Sequence, residues 1–555
     1  MAEVDSPVRV EECEVAIIGA GIAGMNALFV ACQYLSPDQR IILVDSRSRA
    51  GGMWVDTYPY VRLHQPHEFF TAGNIPWELD VERSHLATKG EVLDQFEHCM
   101  RVLQGKARID TFFGYTAEAE TEAEGVVSIP LIGVDDPDDR VEVRAKRLIV
   151  ATGVNVQTND PLTLSSARVH SISPDHDDLA SPEMSGGDEP IWVIGGGKTG
   201  MDTALALVTR YPGREVHLVA GSGTAFINRD RAFPDGAIDR WFSGVRSLQI
   251  SEAVSRRYTG TNGHDVLQQF IADGTLISLV DQPRHYLFGV VSLAEMDRLR
   301  ADLRAIHVDH LVDAVDLGDD VQLVFRSGRT VTIPTGSWIV NCTGYLWESP
   351  DGFAPAPYVS PRGSVLRIQP RVATFVLSSF IGYYVTHLFL LDKAREVPLY
   401  EIDFYTLAKA APEELPWVLY AQTSYNLGPI ADVVPNSVFN DCGLTFDLWY
   451  PKPRQLFGGL RFLALRKRLR PRQNPCHIGL RAASPSPYTA AEDTGHQFAL
   501  APEGGALAEE GLAFHLQPEG LVVGQVPVEA VQLEKRHQVE KAQDEVHPEE
   551  MSGAI

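Results

Sequence analysis

Short, uninterrupted apolar runs recur through the first two thirds of this chain, and most of them stop at a glycine. "VAII" at Val15–Ile18 meets Gly19, "RLIV" at Arg147–Val150 leads to Thr152-Gly153, "IWVI" at Ile191–Ile194 meets Gly195, and "SWIVNC" at Ser337–Cys342 leads to Thr343-Gly344. Val- and Ile-rich runs with no polar alternation predict strands buried on both faces. Two of them pass through a glycine turn into helix-length apolar stretches, "MNALFVACQYL" and "MDTALALV", so the pattern predicts an α/β chain. One further stretch, residues 373–391, is 19 residues long without a formal charge. Its Ser, Thr, Tyr and His content predicts a buried helix rather than a bilayer-crossing one.

The first turn reads Gly19-Ala20-Gly21-Ile22-Ala23-Gly24. In this spacing Gly19 allows the tight bend, Gly21 allows a pyrophosphate to approach the backbone, and Gly24 allows close packing of helix on strand. The phosphates then lie at a helix N-terminus, where free N–H groups favour anions. The strand "RIILVD" ends at Asp45, 21 residues after Gly24, the separation at which a carboxylate accepts hydrogen bonds from ribose hydroxyls. These features predict a dinucleotide site.

The second turn, Gly195-Gly196-Gly197-Lys198-Thr199-Gly200, repeats the arrangement and predicts a second dinucleotide site. A triphosphate-binding loop needs four residues between its first Gly and the Gly-Lys pair, which this turn lacks. The strand "EVHLVA" runs into Gly221-Ser222 with no acid. A carboxylate there would repel a 2′-phosphate, so its absence, with Arg229 and Arg231 downstream, predicts NADP rather than NAD. Gly195, Gly197, Lys198, Thr199, Gly200, Ser222 and Arg229 are the expected contacts.

A length of 555 residues allows more than one domain, and a net charge of -25 argues against nucleic-acid partners. Six scattered cysteines with no C-x-x-C predict a reducing, cytoplasmic setting and no metal site. Residues 482–555 hold 13 acidic and 3 basic side chains, which predicts a partly disordered acidic tail. Residues 450–476 hold eight basic side chains and no acidic one. "LRFLALRKRLRPR" therefore reads as a basic amphipathic segment, expected to dock on the protein's own acidic surface or to meet cofactor phosphates with its arginines, ahead of a membrane or a partner.

After Asp45 comes Gly51-Gly52-Met53-Trp54, a glycine pair with an aromatic close behind. The order of first turn, G-G-x-W, Thr-Gly strand, second turn and second Thr-Gly strand resembles the class B flavin-dependent monooxygenases, the flavin-containing and Baeyer–Villiger monooxygenases, over roughly residues 12–450. The resemblance implies two Rossmann-like dinucleotide-binding domains with a C-terminal extension. The FAD domain would be discontinuous, 1–155 and 336–450, with the NADP domain inserted at 188–335, followed by the basic segment 451–480 and the acidic tail. It implies FAD at Gly19, Gly21, Gly24, Asp45, Gly52 and Trp54, and cofactor contacts at Thr152, Gly153, Thr343 and Gly344.

It also implies that NADPH reduces the flavin, that O2 then forms a C4a-peroxyflavin, and that a small-molecule substrate is oxygenated. Arg62, His64 or Gln65, clustered just after the flavin loop, would donate hydrogen bonds there, and His64 falls where flavin-containing monooxygenases carry an Asn. The signature between the domains departs from the family, with Leu164 and Ser166 in place of Phe and Gly, while His170-Ser171 is kept. A disulfide reductase, which shares both turns, would need a paired-cysteine centre. A plain NAD(P)H oxidase and a slow-turnover flavoprotein scaffold or redox sensor stay open. The aromatic-rich segments "RAFPDGAIDRWFSG", "RHYLFGVV" and "NSVFNDCGLTFDLWYP" are the expected walls of the substrate cavity.

Overall fold

Val15–Ile18 lies at the centre of a parallel sheet, which is why the run carries no polar alternation: both of its faces are covered. The computed structural model describes residues 8–153, 158–344, 357–372, 377–458 and 460, with two short strands at His515–Gln517 and Gly520–Val522. The basic segment beyond 460 and most of the acidic tail lie outside the described residues.

The chain opens with β1 (Arg9–Ile18), β2 (Arg40–Asp45), β3 (Arg108–Phe113), β4 (Tyr115–Ala117), β5 (Thr121–Ala123), β6 (Val126–Gly133) and β7 (Arg140–Val150). They form one sheet in the order β3-β2-β1-β7-β6-β4, with β5 on β6. The core from β3 to β7 is parallel, and the β4-β5-β6 flank is antiparallel. After β8 (His170–Ile172), β9 (Ile191–Ile194) and β10 (Val216–Val219), the chain makes a small sheet of β11 (Thr224–Asn228), β12 (Leu276–Ser278) and β13 (His285–Val291). It continues through β14 (Ala305–His307), the meander β15 (Leu311–Leu317), β16 (Asp320–Phe325) and β17 (Thr330–Ile333), and β18 (Trp338–Asn341). β14-β10-β9-β18-β8 is a second, wholly parallel sheet. Finally β19 (Val365–Arg367) returns to pair with β7 in the first sheet.

Two parallel α/β sheets, each with a glycine turn at the end of a central strand, are the fold class anticipated above. Sheet membership moves one crossing point. Trp338–Asn341, placed by the expected boundary at 336 in the first domain, pairs between β9 and β8 in the second sheet. The chain re-enters the first sheet only at β19, so the Thr343-Gly344 end belongs to the second sheet.

The helix Ile22–Tyr34 is buried over Ala23–Ala31 because a second helix, Ser378–Leu390, covers its outer side. Gly382 allows the crossing, since a Cβ there would stand 2.4 Å from the Ala23 carbonyl oxygen. This second helix takes up residues 378–390 of the apolar stretch 373–391, of which 373–376 lie outside the described residues, and Ser379–Phe389 within it is buried. Among the described residues no helix is long and apolar enough to cross a membrane.

Candidate functional site

Both glycine turns have the same backbone shape for the same steric reason. Gly19 has φ +103°, and a Cβ on it would lie 2.4 Å from the Ala151 carbonyl oxygen; a Cβ on Gly24 would lie 1.8 Å from that of Gly19. In the second turn Gly195 has φ +129° and would meet the Cys342 carbonyl oxygen at 2.5 Å, while Gly200 would meet that of Gly195 at 1.9 Å. The helices that follow, Ile22–Tyr34 and Lys198–Arg210, begin at Gly21 and Gly197, with no capping side chain and no acid in the first turn. The helices at Lys89 and Leu293 instead have their first amides closed by Thr88-Glu91 and Ser292-Glu295 capping boxes. Two helix starts at the carboxyl ends of parallel strands therefore keep free N–H groups for an anion.

Gly52 lies against the first turn, where a Cβ on it would come 2.8 Å from Gly21 Cα. Trp54 packs edge-on against Phe70, with ring centroids 5.5 Å apart. Asp45 is buried, and its carboxylate accepts from the Ala20 amide at 2.7 Å and the Arg47 amide at 2.9 Å. It thus ties the end of β2 to the turn as well as offering the lone pairs that remain. Thr152 and Gly153 follow β7 and are exposed. Thr343 and Gly344 follow β18, and the Asn159 amide donates to the Thr343 carbonyl. The altered signature packs against the second sheet and its meander: Ser166 donates to Asp316 at 2.6 Å, and the His170 ring stacks on Trp338 at 4.3 Å.

At the end of β10, where an acid is absent, Gly221 adopts φ +59° beneath the His310 ring; a Cβ would stand 3.3 Å from its Nε2. The Arg284 amide donates to the Ser222 carbonyl at 3.2 Å, and the Arg326 amide donates to the His310 carbonyl at 2.9 Å. Arg284 and Arg326 are both exposed. Arg229 is elsewhere. Its guanidinium donates to the His64 carbonyl at 3.0 Å and pairs with Glu295 at 2.8 Å, so the role foreseen for it at the 2′-phosphate does not fit its engaged position. Arg231 likewise donates to the Asp273 carbonyl. Lys198, the first residue of its helix, pairs with Asp202, with Thr199 next in the same first turn.

A cleft of about 620 Å³, counted to its solvent-open mouth, lies between the segment after β2, strands β11 and β13, and the helix Leu415–Val433. His64 and Gln65 stand in a wall completed by Phe233, Phe288, Tyr420 and Phe446, among others. The aromatic segments anticipated as cavity walls supply these residues, together with the helix Leu415–Val433 that carries Tyr420. The Val290 amide donates to His64 Nδ1 at 3.0 Å, so that nitrogen carries no proton and the neutral ring holds its hydrogen on Nε2. Burial, and then the charges of Lys198 and Arg229, push the imidazole down to about 3. Arg62 is not in this group: it is exposed and donates to the Leu86 carbonyl at 3.3 Å. Arg62 is held in an isolated bridge with Thr88, and the chain bends at His64-Gln65, which carries these two into the cleft and leaves Arg62 outside it.

Sequence reading missed the Arg229–Glu295 pair and Val290, which together hold His64. Burial raises the Glu295 carboxyl, but Arg229 and the Ser292 amide outweigh it and keep the group below its ordinary value. The only local signal is the Ser292-x-x-Glu295 capping pattern, which says nothing of a partner at 229.

Comparison with known proteins places this geometry. Residues 13–241 match the pyridine nucleotide-disulphide oxidoreductase family. The matched stretch, which is less than half of the chain, holds both glycine turns. Uncharacterized proteins of Mycobacterium tuberculosis and Mycobacterium bovis are 25% identical over 357 residues, which is 61% of this chain and 61% of each relative. Among solved structures, S-allyl-L-cysteine S-oxygenase from Allium sativum is 14% identical at a TM-score of 0.44, covering 84% of this chain and 97% of that one. An oxidized steroid monooxygenase bound to NADP is 13% identical at 0.45, covering 83% and 98%. The bacillithiol disulfide reductase of Bacillus cereus is 14% identical at 0.39, covering 69% and 100%. At these scores the likenesses do not choose between oxygenation and disulfide reduction.

Proposed function

We propose that this protein is an FAD-dependent, NADPH-reduced monooxygenase acting on a largely apolar small molecule. The observation that carries the reading is the placing of neutral His64 and buried Gln65, from the segment after Gly52, in the wall of an aromatic cleft beside Lys198. The residues present fit both cofactors. The uncapped helix start at Gly21, the close-packed Gly52 and Asp45 suit FAD; the uncapped start at Gly197 suits the nicotinamide dinucleotide. A 2′-phosphate would meet His310, Arg284 and Arg326 at the end of β10 rather than Arg229.

Bound FAD and NADPH supply hydride transfer and the activation of O2. The chain's own contribution is position and exclusion of water. His64 presents an Nε2–H donor whose direction is set by the Val290 amide and the Arg229 contact. Because its pKa lies far below neutrality, the ring donates a hydrogen bond without titrating at neutral pH. Gln65 adds an amide with both donor and acceptor, and the aromatic wall slows proton leakage from solvent.

The disulfide reading meets a chemical obstacle among the described cysteines. Cys13, Cys32, Cys99, Cys342 and Cys442 are all free, and burial pushes Cys32 up to about 11 and Cys13 and Cys342 up to about 12. A thiol held that high supplies almost no thiolate for exchange at neutral pH.

The test is an oxygen balance. With a panel of sulfides, amines and ketones, NADPH consumption should match oxygenated product. Stoichiometric hydrogen peroxide with no product across the panel would move the protein to the oxidase class. His64→Ala should divert turnover to peroxide by about tenfold while leaving flavin reduction intact; Arg62→Ala, outside the cleft, should leave the balance unchanged.

A further inference from the structure

Most of the cleft wall is apolar or aromatic, and among the described residues that line it Asp447 is the only carboxyl. It belongs to the helical turn Phe446–Trp449 and is 6% exposed. Neighbouring side chains brace this turn. The Trp449 indole N–H donates to the Pro234 carbonyl at 2.9 Å, and the Tyr450 hydroxyl donates to the Ala232 and Val245 carbonyls at 2.8 and 2.9 Å. The two oxygens of the carboxyl are used differently. Oδ1 accepts from the Ser247 amide at 2.7 Å, at the first residue of the helix Ser247–Arg257. Oδ2 is buried and has no hydrogen-bond partner among the described residues. An acceptor left in that condition is costly unless a ligand supplies the missing donor.

The cations nearby do not supply it. Arg246 and Arg454 act on the charge of Asp447 from a distance, but the Arg246 guanidinium donates to the Gln249 side chain and the Arg454 carbonyl, and that of Arg454 to the Arg240 and Gly244 carbonyls. Burial raises the Asp447 carboxyl above its ordinary value, and the Ser247 and Leu248 amides and the two arginines act the other way without overcoming it. A bound cation would favour the ionised form. Holding the start of the helix explains Oδ1 alone, since asparagine in this place would serve the Ser247 amide equally.

We propose that Asp447 selects the substrate: its free Oδ2 receives the N–H of a protonated amine carried by an otherwise apolar molecule. That this ligand is the substrate rests on the monooxygenase reading; its binding does not. An ammonium group brings both a donor and an opposite charge to the oxygen, while Phe233, Phe288 and Phe446 cover the apolar body. Ser247, half-buried in the same lining, adds a hydroxyl. A neutral alcohol offers the donor without the charge, and a carboxylate is repelled. Because a protonated nitrogen has no lone pair, the atom that is oxygenated lies elsewhere in the molecule.

The measurement is calorimetric titration of the oxidised holoenzyme, without NADPH, with phenylalkylamines of increasing chain length and the alcohols of equal length. The tightest amine should bind about tenfold or more tightly than its alcohol. Asp447→Asn should bring the pair to within about twofold by weakening the amine alone, with near-ultraviolet circular dichroism confirming the fold. A wild-type series in which no amine outbinds its alcohol overturns the proposal, and that comparison needs no variant. Retention of the wild-type preference by Asp447→Asn overturns it too, as does an equal loss of amine and alcohol, which would assign Asp447 to the helix start alone. No step of the titration consumes O2, so a protein that makes only peroxide would sink the monooxygenase reading and leave this result standing.

Discussion

The two glycine turns are nearly the same object in two settings. In both, a central parallel strand ends in a glycine of positive φ, and a helix starts without a side-chain cap. Around the first, the neighbouring strand β2 ends in buried Asp45. Around the second, β10 ends in Gly221, overlaid by His310 with Arg284 and Arg326 in adjoining segments. The glycine backbone shape thus comes from local sequence, whereas the side chains beside each strand end are brought in by other strands.

The largest test of that comparison removes the close helix–strand approach in each turn. Gly24→Ala would press a methyl to 1.8 Å of the Gly19 carbonyl oxygen and should cost about 3 kcal/mol of stability and the bound flavin, read from denaturant midpoints and absorbance. Gly200→Ala makes the equivalent clash at 1.9 Å; it should leave the flavin in place while NADPH affinity falls about a hundredfold. Flavin lost from Gly200→Ala and kept in Gly24→Ala would exchange the two assignments.

A milder change converts one setting towards the other. Gly221→Asp places a carboxylate at the end of β10, in a left-handed conformation that Asp tolerates. NADPH affinity should fall about tenfold with little change for NADH, because only NADPH carries the 2′-phosphate. Equal losses for both nucleotides would remove this loop from 2′-phosphate recognition.

The smallest effect is in pH dependence. His64 titrates near 3 in the fold, below its ordinary value of 6.5. The unfolded chain therefore binds more protons in that interval, so the stability contributed by the neutral ring is full above 6.5 and is lost as pH falls towards 3. His64→Gln should make the decline in denaturant midpoint between neutral pH and about pH 4 shallower, by at most about 1.4 kcal/mol per pH unit. His307 and His387, each pushed down to about 4, first of all by burial, stay in both proteins and cancel in the comparison. An unchanged slope would mean that His64 is solvated.

Much of the fold was legible because its signals are short-range. A strand, a glycine turn and a helix lie within about twenty residues, and the steric demands at Gly19, Gly24, Gly195 and Gly200 are met by atoms of the same unit or its immediate strand neighbour. The buried helix Ser378–Leu390 was legible from composition alone. The crossing near residue 336 was misread because β18 and β7 are alike as sequences, each a β-branched strand ending in Thr-Gly, and only hydrogen-bond partners separate them. Arg229 was misread for a related reason: a cation downstream of a phosphate turn attracts a phosphate assignment, yet Glu295 and the His64 carbonyl reach it first.

Sequence by itself determined the two glycine turns with uncapped helix starts, the acid beside one and its absence beside the other, because glycine φ freedom and residue spacing act over a few bonds. Tertiary structure alone decided that His64 and Gln65 share a cleft wall while Arg62 faces water, that Arg229 holds His64, and that Asp447 meets the Ser247 amide in the cleft lining. Those relations join residues tens to hundreds of positions apart. They rest on side-chain burial and hydrogen bonds that exist only once the sheets and helices have packed.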